Sequence, residues 1–589
     1  FSSGSTIFGD SGDDTHQFTG SLFISGSRIS FTDGKKNTTL GNLAGDAITS
    51  GNENVIFGEE AGTAISTGAY NTLLGYRAGK GFTTGYGNTV VGREAMDSSE
   101  TTLQENTVVG YQAAGNASFA ADKTVMIGSQ AGLGGAMTSD ADGTVAIGYY
   151  AGYALTSGIG NVAIGYQALD AEDDGDFNTA IGYQALSAQT GVSGEVGNTA
   201  VGYQAGLAVT TGTGNTIMGY HAGKTIAGGG ANVVIGSEAG KALLSGGANT
   251  IVGRHAAYSL TTGDDNIAIG TFALYTGTTQ SDNVAIGRAA LQYIRGEDSV
   301  AVGYIAGAYA TGSNNTFVGS QAGLGGTTSA PYSSGTNNVA VGYQALTAFT
   351  TGNKNTVLGY QAGDAVTTGN YNVLLGSDAG GGITTGGSNV VIGHQAMDAA
   401  AGAADGMVAI GVEALSTFNG GNVDSSVAVG EYSLNSLTDG VSNVAVGSFA
   451  LRYTTGNYNT AIGESAAYNM TTGDDNVAVG RLALGIAGAA SDNVAVGNMA
   501  GRYAVKTQLG TFLGHQAGEH ATGSYNTFVG GNAGQGGTTS APYSSGVNNV
   551  AMGFEALKVF TTGGHNVAIG YRSGLDLTTG NYNTFLGRE

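Results

Sequence analysis

The sequence contains no cysteine and no tryptophan, only 2 prolines, and charged residues at just 11% of its 589 positions. Without cysteine there are no disulfides and no thiolate metal sites, so packing and hydrogen bonds alone must hold the fold. Scarce proline excludes collagen even though 107 residues are glycine, because a Gly-X-Y helix needs glycine at every third position together with abundant proline. Low charge combined with 41% hydrophobic residues also excludes an acidic disordered tail and a flexible Gly/Ser linker. Basic residues are few: 20 Lys and Arg against 43 Asp and Glu leave a formal charge of −23, which repels nucleic acid and anionic lipid headgroups. No window approaches 18 consecutive apolar residues, so no membrane insertion by a helix is expected. The chain opens at Phe1 with no basic segment before an apolar stretch, as expected of a fragment or a processed product.

What is present is a repeat. The string N-[TV]-x-x-G starts at Asn37, Asn54, Asn71 and Asn88, and it returns until Asn583. Its glycines run from Gly41 to Gly587 and number 32. The residue before each of them is apolar, and the residue three after is Ala in 29 of 31 complete units, with Ser433 and Ser573 as exceptions. Asn fills the first position in 26 of 32 units. A variable stretch follows, often ending Thr-Thr-Gly as at Thr210–Gly212, and reads as turn. Two long units carry the same insertion, Ser329–Gly335 and Ser540–Gly546, which holds both prolines and lies 211 residues apart, so a block of units has been duplicated.

A period near 17 with β-branched runs, a glycine and a Gly/Asn turn predicts an all-β fold, a parallel β-solenoid of about 32 coils with two short strands per coil. The solenoid shaft is assigned to residues 37–589, and residues 1–36 to an N-terminal connecting segment. Rungs about 4.8 Å apart then make a rod on the order of 150 Å long. Stacked Asn71, Asn88, Asn215, Asn232 and Asn249 are expected to form a hydrogen-bonded ladder. Gly75, Gly92 and Gly219, with Ala78, Ala95 and Ala222, are expected where neighbouring backbones approach closely.

The strands do not alternate apolar and polar residues. Val90–Val91, Val234–Ile235 and Leu374–Leu375 are apolar on both sides, so both faces are expected to be buried. A coil this narrow has one interior, and the other face is expected to meet identical chains, as a homotrimer. The alternative is a monomer whose turns fold over that face.

The segments Gly197-Asn-Thr-Ala-Val-Gly-Tyr-Gln-Ala-Gly206 and Gly160-Asn-Val-Ala-Ile-Gly-Tyr-Gln-Ala-Leu169 resemble the repeats of phage tail-fibre proteins, and they are similar to the β-roll head repeats of trimeric autotransporter adhesins. The opening Ile7–Asp10 and Asp14–Ser21 are similar to connecting regions of marine-phage structural proteins. The resemblance implies a homotrimeric fibre, often finished by a self-cleaving C-terminal chaperone; the stop inside a repeat at Glu589 is what cleavage or truncation would leave. A unit longer than the adhesin one favours the phage reading.

Candidate chemistry is sparse. The histidines at 16, 221, 255, 394, 515, 520 and 565 read as surface positions, and His515 and His520 lack the spacing of a helical zinc motif. No P-loop with lysine and no nucleophile elbow stands out, so no enzyme is expected. Asp264–Asp265, Asp474–Asp475 and Asp173, Asp174 and Asp176 could gather Ca2+, yet the nonapeptide of calcium rolls is absent and the carboxylates read as solvated turns; no cofactor is expected. Tyr-Gln pairs such as Tyr183–Gln184, Tyr203–Gln204, Tyr343–Gln344 and Tyr360–Gln361 should stack as exposed ladders. Contact with a host cell-surface glycan or protein receptor is expected in the loops that break the period, at Pro331, Tyr332, Pro542 and Tyr543. The leading expectation is a non-catalytic fibre shaft of a virion that carries a receptor-binding tip. A bacterial surface adhesin or extracellular filament is the first alternative; an ice-binding solenoid and a glycan-cleaving tailspike follow.

Overall fold

The computed structural model describes residues 34–100, 102–190, 192–326, 332–399, 403–417, 425–537 and 543–589. It is all-β, a parallel β-solenoid of about 31 turns at a spacing near 17 residues. Two compact units divide the chain, Phe1–Ala268 and Ile269–Glu589. In the first, 13 three-residue strands from Thr38–Leu40 to Thr250–Val252 each pair in parallel with the next, in register, as Thr72↔Thr89 and Leu74↔Val91 illustrate. In the second, 18 strands from Val284–Ile286 to Thr584–Leu586 do the same. The strand Ile267–Ile269 spans the division. Most of the N-terminal connecting segment lies outside the described residues.

Each coil has one regular strand, not the two expected. The segment after the strand holds left-handed backbone at alternate residues: Gly75 at φ 135°, Arg77 at φ 57° and Gly79 at φ 57°. No strand accommodates that pattern. A second short ladder forms only in places among the described residues, as at Gly175–Asp176 with Gly194–Glu195.

Why the repeat glycine recurs follows from contact. A Cβ at Gly92 would lie 2.2 Å from the carbonyl oxygen of Gly110 in the next coil, and one at Gly75 would lie 2.4 Å from that of Gly92. Both sterics and the positive φ therefore demand glycine.

The interior is one side chain thick. The central residue of each strand points inward, with Leu73, Val90 and Ala163 fully buried, and the recurring alanines Ala78, Ala95 and Ala222 are buried as well. Volume is balanced within many coils. Where the strand centre is largest, the residue six later is glycine: a Cβ at Gly79 would meet Leu73 Cδ2 at 2.9 Å, and one at Gly323 would meet Phe317 Cδ1 at 2.1 Å. Where the centre is alanine, a leucine often fills the gap, as Leu169 does for Ala163 and Leu186 for Ala180, both fully buried. Ala146 and Ala200 instead keep glycine at Gly152 and Gly206, which meet Leu155 and, from the coil before, Leu186. Such exchanges help keep the interior densely packed.

Candidate functional surfaces

The asparagine column forms the expected ladder. Asn71 Nδ2 donates to Asn54 Oδ1 at 3.0 Å and to the Gly85 carbonyl at 2.8 Å, and its backbone N–H donates to the same Asn54 oxygen at 3.1 Å. Asn88 repeats the pattern, donating to Asn71 Oδ1 at 3.0 Å. Asn215, Asn232 and Asn249 donate in turn to Asn198, Asn215 and Asn232 at 3.1, 3.0 and 3.1 Å. Each buried amide thus joins three coils and leaves no polar atom of its own unpaired, a strictly structural role. Thr124 keeps the contact with its hydroxyl on Asn106 Oδ1 at 2.7 Å, whereas Met407 keeps only the backbone half.

The outer face of the strands is uncovered in a single chain. Within one chain the residue before the repeat glycine stays partly exposed: Met218 is 41% and Leu358 45% exposed. The turns do not fold over it. Beside this apolar stripe runs an aromatic one, with Tyr149, Tyr166, Tyr183, Tyr203 and Tyr220 stacked at ring separations of 5.2, 4.9, 5.1 and 5.5 Å. Tyr343 stacks on Tyr360 at 5.5 Å. Their glutamines form a one-directional amide ladder: Gln184 Nε2 donates to Gln167 Oε1 at 3.0 Å, Gln204 Nε2 to Gln184 Oε1 at 2.8 Å, and Gln361 Nε2 to Gln344 Oε1 at 2.9 Å.

The two period-breaking insertions are anchored by tyrosines. Tyr332 stacks on Tyr293 at 4.8 Å, and Tyr543 stacks on Tyr503 at 4.7 Å. Both rings are half-buried, packed on the coil rather than projecting from it. Pro331 and Pro542 lie outside the described residues. Beside the stacked pair Tyr503 and Tyr543 lies His520, only 7% exposed, which corrects its reading as a surface residue. Its ring is 5.1 Å from Tyr503 and 5.7 Å from Tyr543, and burial holds its pKa below the ordinary value despite Glu519 3.7 Å away.

Two clusters of charge gather among the described residues; the sequence pointed to Asp173 and Asp174 of the first, but not to Glu172 or to the second. Glu172 occupies the inward position that Leu155 and Val209 fill in other coils, and burial raises its pKa against the pull of the Gly175 and Asp173 backbone N–H groups. Nearby Asp170 is pushed up to about 6 by burial. Among the described residues, Glu172, Asp173 and Asp174 place carboxylate oxygens within 4.8 Å of one another, so part of the expected acidic turn does gather. The second cluster lines a cleft of about 490 Å³, where Arg77 pairs with Glu60 at 3.2 Å and Asp97 at 3.6 Å. Position in the stack, not composition, creates both.

No protein-family model matches the chain, and neither does any curated protein.

Proposed function

We propose that the chain is the non-catalytic shaft of a viral tail fibre, a homotrimer whose apolar outer faces are buried against one another and whose length holds a host-receptor-binding tip away from the virion. The observation that carries this reading is the outer stripe of Met218, Leu358 and their counterparts, which is apolar at every rung yet partly exposed in one chain. An apolar face repeated on every coil is the pattern of a surface made to be covered. A sister chain supplies the same 4.8 Å rung spacing and so matches it along its whole length. Stiffness follows from the buried Asn ladder and the glycine contacts, which leave little slack between coils.

The acidic charge of −23 supports a solvated exterior and disfavours nucleic acid as a partner. Receptor contact is assigned to the period-breaking loops anchored by Tyr332 and Tyr543, with a cell-surface glycan or protein as the ligand. Location on a virion or another extracellular surface goes with this role. Negative-stain imaging of the purified chain tests it: filaments about 150 Å long and wider than one coil are expected, and dispersed single-chain particles would overturn it.

A further inference from the structure

The turn that follows Leu169 reads Asp170-Ala-Glu-Asp-Asp-Gly-Asp176, with carboxylates at five of its seven positions and no basic residue. Three of them converge: Glu172, Asp173 and Asp174 each offer an oxygen within 4.8 Å of the other two. We propose that these three carboxylates bind one Ca2+ ion.

Local hydrogen bonds hold the ligands in place. Glu172 Oε1 accepts from the backbone N–H groups of Gly175 at 2.8 Å and Asp173 at 3.1 Å, and Asp173 Oδ1 accepts from that of Asp174 at 3.0 Å. Backbone thus fixes one oxygen of Glu172 and one of Asp173 and leaves the other of each over. Glu172 is 0% exposed, and its second oxygen, Oε2, is buried with no hydrogen-bond partner. A buried carboxylate oxygen calls for a donor or a cation. Elsewhere lysines meet that need, Lys80 at Glu60 and Lys241 at Glu238, but among the described residues no basic side chain pairs with Glu172, Asp173 or Asp174. The charges around them are of their own sign: Asp173 acts on Glu172, and Asp173 and Asp176 act on Asp174.

Size and ligand type name the ion. Oxygens about 2.4 Å from one Ca2+ stand at most about 4.8 Å apart, the limit within which these three already fall. Oxygen ligands without imidazole or thiolate select a hard cation over zinc. Mg2+ demands near-ideal octahedral geometry, which adjoining residues of one turn do not supply, whereas Ca2+ accepts irregular shells that water completes. Asp173 is exposed and gives that water access. Bound there, the ion would tie the coil interior to the turn beside the short Gly175–Asp176 ladder.

Calcium titration calorimetry on the full chain, stripped with chelator, tests this. One Ca2+ per chain is expected, half-saturating at about 0.1–1 mM, the range of weak extracellular sites. Glu172→Gln keeps an oxygen toward the backbone and removes the charge, and it should weaken binding by about tenfold or more. Asp173→Asn, at an exposed position that leaves the interior untouched, should do the same. Asp265→Asn, in an acidic pair outside the cluster, should leave uptake unchanged. Saturating Ca2+ should raise the melting temperature of the parent more than that of Glu172→Gln. No saturable uptake by the parent, or uptake by Glu172→Gln and Asp173→Asn equal to the parent's, would overturn the assignment. So would an equal loss in Asp265→Asn, the mark of diffuse attraction to surface charge.

Discussion

The second unit holds two versions of one structure, the duplicated coils around Tyr332 and around Tyr543. Their frames match. Phe317 and Phe349 stand 5.6 Å apart in the first, and Phe528 and Phe560 stand 5.4 Å apart in the second. Asn315 donates to the Gly335 carbonyl at 2.9 Å, and Asn526 to that of Gly546 at 2.8 Å. Their loop anchors differ. Where the first has Gln292, Ala308 and Tyr309, the second has Arg502, Glu519 and His520. Arg502 lies 3.9 Å from Glu519, which also accepts from Gln535 at 3.1 Å. Contacts that stack one coil on the next thus fix interior, glycine and asparagine, while the ring packed beside two stacked tyrosines changes from phenol to imidazole.

The comparison can be broken at its shared frame. Gly319→Val and Gly530→Val should be the most damaging changes and equal in the two copies, because the new Cβ would lie 2.5 Å from the Gly342 oxygen and 2.6 Å from that of Gly553 at φ near 130°. A loss well above about 3 kcal/mol is expected, read as early melting by circular dichroism. Next, Phe317→Ala and Phe528→Ala should each cost about 3–5 kcal/mol through a cavity, and Gly323→Leu or Gly534→Leu added to the respective alanine variant should recover part of it. Recovery in one copy alone would sink the volume-compensation argument. Asn315→Ala and Asn526→Ala should follow at about 1–3 kcal/mol, from the carbonyls left unpaired.

The smallest effect separates the copies. Burial lowers the folded-state pKa of His520, so below the ordinary histidine range the unfolded chain binds more protons than the folded one, and stability falls as pH falls through that range. Hydrogen exchange should show the coils around Tyr543 loosening as pH falls below the ordinary histidine range while those around Tyr332 hold. His520→Tyr should remove the difference, and a difference that persists would place the pH sensitivity elsewhere.

Much of this frame was legible from recurrence alone. A residue that must touch its own copy in the next coil repeats, which is why Asn71, Gly75 and Ala78 could be assigned from the sequence. Strand number was not legible, since Arg77 and Gln204 take left-handed backbone without being glycine or asparagine, and no compositional sign marks them. The burial of His520 was not legible because one of its covers, Tyr543, arrives through an insertion that breaks the period.

The proposed function rests on the partly exposed apolar stripe being covered by sister chains. Sedimentation equilibrium of the full chain measures this most directly. The account predicts a single species at three times the 58.3 kDa chain mass, unchanged on dilution; a stable, soluble species at 58.3 kDa would contradict it.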